Sequence, residues 1–511
     1  MPDLDTQAAS STPAAVPVGG VPAPEGPAEA QLTVPSAWTH NLGWHVFRNT
    51  ASQVVGRNVI ALGRLVVASL IVRAYGRSVF GEYSLLFTLL VIGEWMLDFG
   101  TTETFVREIC REPAQAARLL RTVAAAKFVQ IPFAVAVVSA ALFAMHYPWR
   151  VVEAGLIGAV ELLFFSGVLV YRIIFKASLT MDREVGAELV SVMVMIPLVW
   201  FAAHHGGGLN SLLACYAASR AVFLAACWRL GRKQFAMSLR GVVLADVRWS
   251  LHLSAAIGFI GLIVVVNETM DILVLSRFGG ISAVALYSGA QRFTAPLLTA
   301  LASIGATLYP VAASYWPQSK DRFDAACQQG LNSALTIAGL AIVVLLAAPG
   351  FFMGLLGPAL AAGAPVLMVL ALLCFLKAMS SALGPVLYVI RAQKEVLKVV
   401  AVAVIGKGLV LSLLASRFGY MGVAFGAMGV ELCFTVGPMM YLLYTHCGYR
   451  IRWAVPAKVV GVTLAAAVAT RSVLSPSSLL GVVVSALLYL VLVFLSGAVR
   501  ASDVAMLLRR K

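Results

Sequence analysis

From about residue 51 onward the chain alternates long apolar stretches with short polar loops. Fourteen stretches emerge, at roughly 51–74, 83–101, 122–145, 151–171, 186–203, 209–228, 253–276, 284–311, 331–353, 363–390, 396–416, 421–445, 455–474 and 478–498. About 20 apolar residues in a helix cross a bilayer's hydrocarbon core. In lipid a spanning segment must satisfy its backbone polar groups internally, which helices do. The pattern predicts an all-α polytopic membrane protein with about fourteen transmembrane helices. Residues 1–40, rich in Ala, Pro, Gly and Ser, read as a disordered tail. They lack the basic start and apolar run of a signal peptide.

Charge then orients the helices. The loops after even-numbered stretches hold 24 basic residues, among them Arg107, Arg111, Arg172, Lys176, Lys233, Arg240, Arg391, Lys394 and the terminal Arg509, Arg510 and Lys511. The loops after odd-numbered stretches hold six: Arg73, Arg77, Arg150, Arg277, Arg417 and Arg471. The positive-inside rule places the basic side, and both termini, in the cytoplasm. The net charge of +15 is thereby assigned to topology and anionic lipid. It does not gather in one soluble domain, so nucleic acid is excluded as a partner.

Composition narrows the function classes. No loop exceeds about 25 residues, too few for a folded extramembrane domain, and no P-loop, HExxH or nucleophile elbow occurs. The reading is a non-enzyme without cofactor. Seven scattered cysteines form no CxxC pair and are read as small packing residues. Adjacent His204 and His205 are not expected to converge on a metal. Gly422, Gly426 and Gly429 lie in an apolar stretch and are read as helix-packing glycines rather than a nucleotide loop.

An internal repeat appears at an offset of 204: Arg73 aligns with Arg277, Gly76 with Gly280, Ser78 with Ser282, Tyr83 with Tyr287 and Ser84 with Ser288. Six stretches separate the copies, so both enter the membrane in the same direction. That predicts two parallel six-helix lobes related by an axis along the membrane normal, at 41–245 and 246–450. Residues 451–511 add two further helices and a basic C-terminus.

Twelve ionisable residues are singled out as lying in mid-bilayer, each costing about 2.5–3.5 kcal/mol on insertion scales unless paired or hydrated. The cations are Arg57, Arg64, Arg220, Arg292, Lys377 and Lys407. The anions are Glu94, Asp98, Glu161, Glu268, Asp271 and Glu431. Lys127, near a span end, is expected to snorkel to the headgroups. Arg57 and Arg64 are seven apart and share one helix face; Glu94 and Asp98, and Glu268 and Asp271, are also same-face pairs. These groups belong to the first helices of each proposed lobe, so a polar cleft between lobes is expected.

Three blocks carry a family resemblance. Leu97-Asp98-Phe99-Gly100-Thr101-Thr102-Glu103-Thr104-Phe105-Val106-Arg107-Glu108-Ile109 resembles the span 2 exit of Wzx-type oligosaccharide flippases. Asp271-Ile272-Leu273-Val274-Leu275-Ser276-Arg277-Phe278-Gly279 with Tyr287-Ser288-Gly289-Ala290-Gln291-Arg292 resembles their spans 7 and 8. Arg417-Phe418-Gly419-Tyr420-Met421-Gly422-Val423-Ala424 resembles their turn between spans 11 and 12. That family sits in the multidrug/oligosaccharidyl-lipid/polysaccharide (MOP) exporter superfamily. The resemblance implies a V-shaped pair of six-helix bundles working by alternating access in the bacterial inner membrane. It implies, as substrate, an oligosaccharide repeat unit on undecaprenyl diphosphate, destined for O-antigen, capsule or exopolysaccharide.

On that basis Arg57, Arg64, Arg292, Lys377, Arg220 and Lys407 are the candidates for binding the diphosphate–sugar head. Asp271, Glu268, Glu94, Asp98 and Glu431 are candidates for coupling H⁺ or Na⁺, or for charge pairing. Membrane lipids, a polysaccharide polymerase and glycosyltransferases are the partners implied. The alternatives are a cation-coupled drug or metabolite antiporter and a lipid II flippase of the same superfamily. The sequence departs from the family in one respect: its buried charges balance, where a cavity with excess positive charge is implied.

Overall fold

The computed structural model describes residues 42–232 and 243–498. The tail at 1–40, the inner-loop residues Lys233 and Arg240 and the terminal basic cluster lie outside the described residues. The described chain is helical: α1 Leu42–Asp98, α2 Thr101–Arg111, α3 Ala116–Ala144, α4 Trp149–Ala177, α5 Met181–His204, α6 Leu209–Gly231, α7 Leu244–Phe278, α8 Ile281–Tyr315, α9 Lys320–Ala347, α10 Pro349–Leu356, α11 Ala364–Val389, α12 Gln393–Val430, α13 Gly437–Cys447, α14 Ala454–Val473 and α15 Leu479–Leu495. Eleven helical segments among the described residues are long and apolar enough to cross a membrane, and Leu479–Leu495 is a shorter apolar helix. This is a multi-pass, all-helical membrane protein.

Two of these segments double back. A straight α1 of 57 residues would be about 85 Å long, far beyond a bilayer. It breaks at Gly76, whose φ of 79° and ψ of −177° suit a residue without Cβ. Arg64 before the break and Thr88 and Val91 after it line the same cavity. The second break is at Gly419 (φ 58°, ψ −139°) in α12. Here Gly426 packs against Leu411 and Leu414, a Cβ at Gly426 falling 2.8 and 3.0 Å from their methyls. Leu411 and Gly426 would be about 22 Å apart in a straight helix, so the chain reverses at Gly419. Gly422 and Gly426 are thus hairpin-packing glycines.

The repeat at offset 204 is visible in the backbone. Gly280, which caps the start of α8, has φ 81° and ψ 164°, matching Gly76. On this side the chain's halves meet tightly: a Cβ on Gly81 would lie 2.3 Å from the Ile281 carbonyl oxygen. Ser69 donates to the Leu355 carbonyl at 2.9 Å, and Tyr147 donates to Ser276 at 2.6 Å. The opposite side carries a second seam. Gly100 (φ 73°) abuts Gly258, Phe99 stacks edge-on against Phe259, and Gly261 packs on the Trp95 ring. Arg118 pairs with Asp246 there at 3.2 Å. The helices α14 and α15 pack on each other and on α9, with Tyr489 donating to the Thr336 carbonyl at 2.8 Å.

Candidate functional site: a charged cavity between the seams

Between the two seams lies a cavity of about 770 Å³, walled by both arms of α1 and by α5, α7, α8, α11 and α12. Its register repeats the sequence. From the second arm of α1 come Ser84, Phe87, Thr88 and Val91; from α8 come Ser288, Gln291, Arg292 and Ala295, each 204 residues later. On the preceding helices Arg64 and Glu268 stand at the same offset, with opposite charge.

Eight of the eleven residues expected at the site are brought together here: Arg57, Arg64, Glu268, Asp271, Arg292, Lys377, Lys407 and Glu431. Their charges are arranged as follows. Arg64 pairs with Glu188 of α5 at 2.6 Å. Lys407 lies 2.7 Å from Asp271 and donates to the Asn267 carbonyl at 2.6 Å. Tyr287 donates to the other Asp271 oxygen at 2.7 Å. Lys377 reaches both Glu431, at 3.1 Å, and Glu268, at 3.5 Å. Every carboxylate on the wall therefore has a cation. Five cations face four carboxylates, and two cations are left over. Among the described residues Arg57 and Arg292 have no carboxylate within ion-pair distance. The Arg292 Nε is buried without a hydrogen bond, and its guanidinium lies 5.4 Å from the Phe80 ring centre. The sequence count, balanced over all buried charges, thus resolves into a wall with a small cationic surplus.

Glu431 opens a single π-helical turn, Glu431–Val436, between α12 and α13. Pro438 follows after Gly437 and cannot donate a backbone hydrogen bond. The wider turn accommodates that loss, and such turns recur at functional sites.

The remaining three candidates lie elsewhere. Arg220 is buried among α1, α4 and α6. It bonds Glu94, lies 3.4 Å from Glu161 and donates to the Tyr216 hydroxyl at 2.7 Å. The Phe165 ring centre is 5.0 Å away. Neither Arg220, Glu94 nor Glu161 lines the cavity. Asp98 accepts from the Thr102 hydroxyl and backbone and so anchors the start of α2. Lys127 corrects an expectation: it does not snorkel. It is 2% exposed and bonds the Leu97 carbonyl, Thr101 at 2.8 Å and Gln130 at 3.1 Å. The carbonyls left bare at the end of α1 make a better partner than distant headgroups.

Sequence reasoning missed Glu188, which neutralises Arg64. Its signal was present: an acidic residue inside the apolar stretch 186–203. It also did not place Gln53, Gln291, Ser84 and Ser288 on the wall, the two serines being marked only as repeat positions, because neutral polar residues in helices do not announce which face lines a cavity. His204 and His205 each hydrogen-bond the carbonyl four residues back, at 2.9 Å. Among the described residues no group of three or more His, Cys, Asp or Glu is placed to hold a metal.

A model of the polysaccharide biosynthesis protein family matches residues 46–316, more than half of the chain. The chain belongs to that family. No curated protein matches it in sequence. Among solved structures, the lipid II flippase MurJ in an inward closed conformation superposes with a TM-score of 0.68 at 11% identity, covering 87% of this chain and 98% of that one. An inward-facing multidrug resistance MATE family transporter of the MOP superfamily gives 0.61 at 14% identity, over 76% and 98%. A MOP superfamily transporter from Pyrococcus furiosus Vc1 (DSM3638), described as having a binding pocket of reversed polarity, gives 0.55 at 15% identity, over 78% and 96%. At these identities the likeness is one of fold. The polysaccharide biosynthesis family member described here thus has the fold shared by these MOP superfamily transporters.

Proposed function

We propose that this protein flips polyprenyl-diphosphate-linked oligosaccharide repeat units across the bacterial inner membrane by alternating access. The carrier lipid is undecaprenyl diphosphate, and the product feeds a surface polysaccharide. The observation that carries the reading is the pair of uncommitted cations, Arg57 and Arg292, on a cavity wall whose carboxylates are all engaged. They come from opposite halves of the chain. A diphosphate brings two anionic groups that a planar guanidinium binds in a fork. The sugar's hydroxyls find Gln53, Asn58, Gln291, Ser84 and Ser288 on the wall in place of water, whose loss would otherwise make the crossing prohibitive. The polyprenyl tail stays in lipid.

The seams supply the two gates such a cycle needs: one about Gly81 and Ile281, one about Gly100 and Gly258. Counting the segments folded at Gly76 and Gly419 as two crossings each, and Leu479–Leu495 as one, gives fourteen. Both termini then lie in the cytoplasm, as the basic loops require. Residues 41–245 and 246–450 form the two moving lobes, and 451–511 form an appendage. The ion pairs of Lys407 with Asp271 and of Lys377 with Glu268 and Glu431 are the candidate sites for H⁺ or Na⁺ coupling.

The test is mass spectrometry of polyprenyl-linked glycans in cells lacking the protein. A complete, unpolymerised oligosaccharide–diphosphate lipid should accumulate, and the surface polysaccharide should be lost. Unchanged glycan lipids with resistance to cationic dyes on overexpression would favour a cation-coupled antiporter. Accumulated lipid II would favour a lipid II flippase.

A further inference from the structure

The helical serines of this chain mostly donate to a carbonyl three or four residues back, as Ser139, Ser166, Ser250 and Ser276 do. Two on the cavity wall do not. Ser84 and Ser288 are 4% and 5% exposed, and each hydroxyl is buried with no hydrogen-bond partner. An unsatisfied buried hydroxyl is a standing cost, and in a native protein it calls for an explanation. Here the cost occurs twice, at positions 204 residues apart, each eight residues past a turn glycine of matching conformation, Gly76 and Gly280. Among the wall positions related by the repeat, charge is not preserved: Arg64 corresponds to Glu268, and Thr88 to Arg292. The serines are the same on both halves.

Depth along the helices gives them a place. Arg64 precedes Gly76 by twelve residues, and Arg292 follows Gly280 by twelve. Both guanidiniums thus originate about 18 Å from the turns, and the serines about 12 Å from them. Ser288 and Arg292 are i and i+4 on one face of α8. The serines lie one helical turn, about 6 Å, nearer the Gly81 seam, which is the scale of one sugar ring.

We propose that Ser84 and Ser288 form a paired hydroxyl subsite on the Gly81 side of the cavity, binding the neutral sugar residue attached directly to the diphosphate. This rests on the function proposed above and deepens it: the arginines take the charge, and the serine pair takes the first carbohydrate. Two donor–acceptor hydroxyls, one from each half, close on the sugar's hydroxyl and carbonyl groups when the cavity fills.

The test uses the full chain in nanodiscs with two probes, undecaprenyl diphosphate and the same lipid bearing one N-acetylhexosamine. The variants are Ser84→Ala, Ser288→Ala and both together. Each lost neutral hydrogen bond should weaken binding of the sugar-bearing lipid about threefold to tenfold, while the sugarless lipid binds as before. Because alanine removes an unsatisfied group, the melting temperature of the ligand-free variants should hold or rise. A lowered melting temperature with equal loss for both lipids would show a structural role and overturn the proposal. Unchanged binding of both lipids by the double variant would also overturn it, while leaving the transport function standing. Failure of the wild-type protein to bind either lipid would overturn the function as well.

Discussion

Replacing Lys407 by Met tests whether the cavity wall behaves as protein interior or as hydrated surface. Lys407 and Asp271 lie 2.7 Å apart, with side chains 9% and 7% exposed. Removing one partner of a buried pair costs about 3–5 kcal/mol, because the other charge is left uncompensated. In Lys407→Met the Asp271 carboxylate retains one donor, Tyr287. A charged hydrogen bond of that kind contributes about 1.5–3 kcal/mol, which places the loss near the lower end, about 3 kcal/mol. Asp271→Asn leaves the Lys407 ammonium with the Asn267 carbonyl and should cost a similar amount. The double variant carries no buried charge at this point and should lie within about 1 kcal/mol of wild type, since neutral replacements of buried pairs are often tolerated. Two single losses of about 3 kcal/mol each against a double-variant loss of at most about 1 kcal/mol give a coupling of about 5 kcal/mol, against about 0.3–0.5 kcal/mol for independent sites. Equilibrium unfolding in mixed micelles, monitored by circular dichroism on all four proteins, measures it. Additive single losses would refute the reasoning and show that cavity water screens the pair.

Three further outcomes follow from the geometry. Arg292→Ala should leave unfolding stability within about 1 kcal/mol, since Arg292 has no ion pair, yet weaken undecaprenyl diphosphate binding about tenfold to a hundredfold; binding in nanodiscs at wild-type strength would remove Arg292 from the site. Arg220→Met should do the reverse. It strands Glu94 and the fully buried Glu161 and should destabilise by about 3–5 kcal/mol. Adding Glu94→Gln and Glu161→Gln should recover most of that, and failure to recover in micelle unfolding would argue against the cluster as a structural lock. Gly258→Ala places a Cβ 2.7 Å from the Phe99 ring and carbonyl, an overpacking worth about 1–3 kcal/mol. Hydrogen exchange at residues 95–105 and 254–261 should quicken as that seam opens, and unchanged exchange would count against a gating role.

Much of this protein is written in one dimension. Apolar length, basic-loop alternation and the offset-204 repeat require only local sequence, because lipid compels each crossing to close its own hydrogen bonds as a helix. Hence the positions of the helices, the turn glycines Gly76 and Gly280 and the family resemblance could be read directly. Five of the eight charges that converge on the cavity, Arg57, Arg64, Glu268, Asp271 and Arg292, sit on the stretches that the repeat marked, and Lys377, Lys407 and Glu431 reach it from later helices. What local sequence cannot specify is which partner each charge meets across helices. Arg220 and Arg292 look alike in sequence; helix packing sends one to Glu94 and Glu161 and leaves the other unpaired beside Phe80. Lys127 looked close enough to a span end to reach the headgroups, yet tertiary packing turns it onto the Leu97 carbonyl near the end of α1. Glu188 and the serines Ser84 and Ser288 acquire meaning only when the repeat folds into two facing walls. In a medium that cannot solvate charge, burial is decided by the sequence's apolar runs, but pairing is a property of contacts between different helices, and only the tertiary structure decides it.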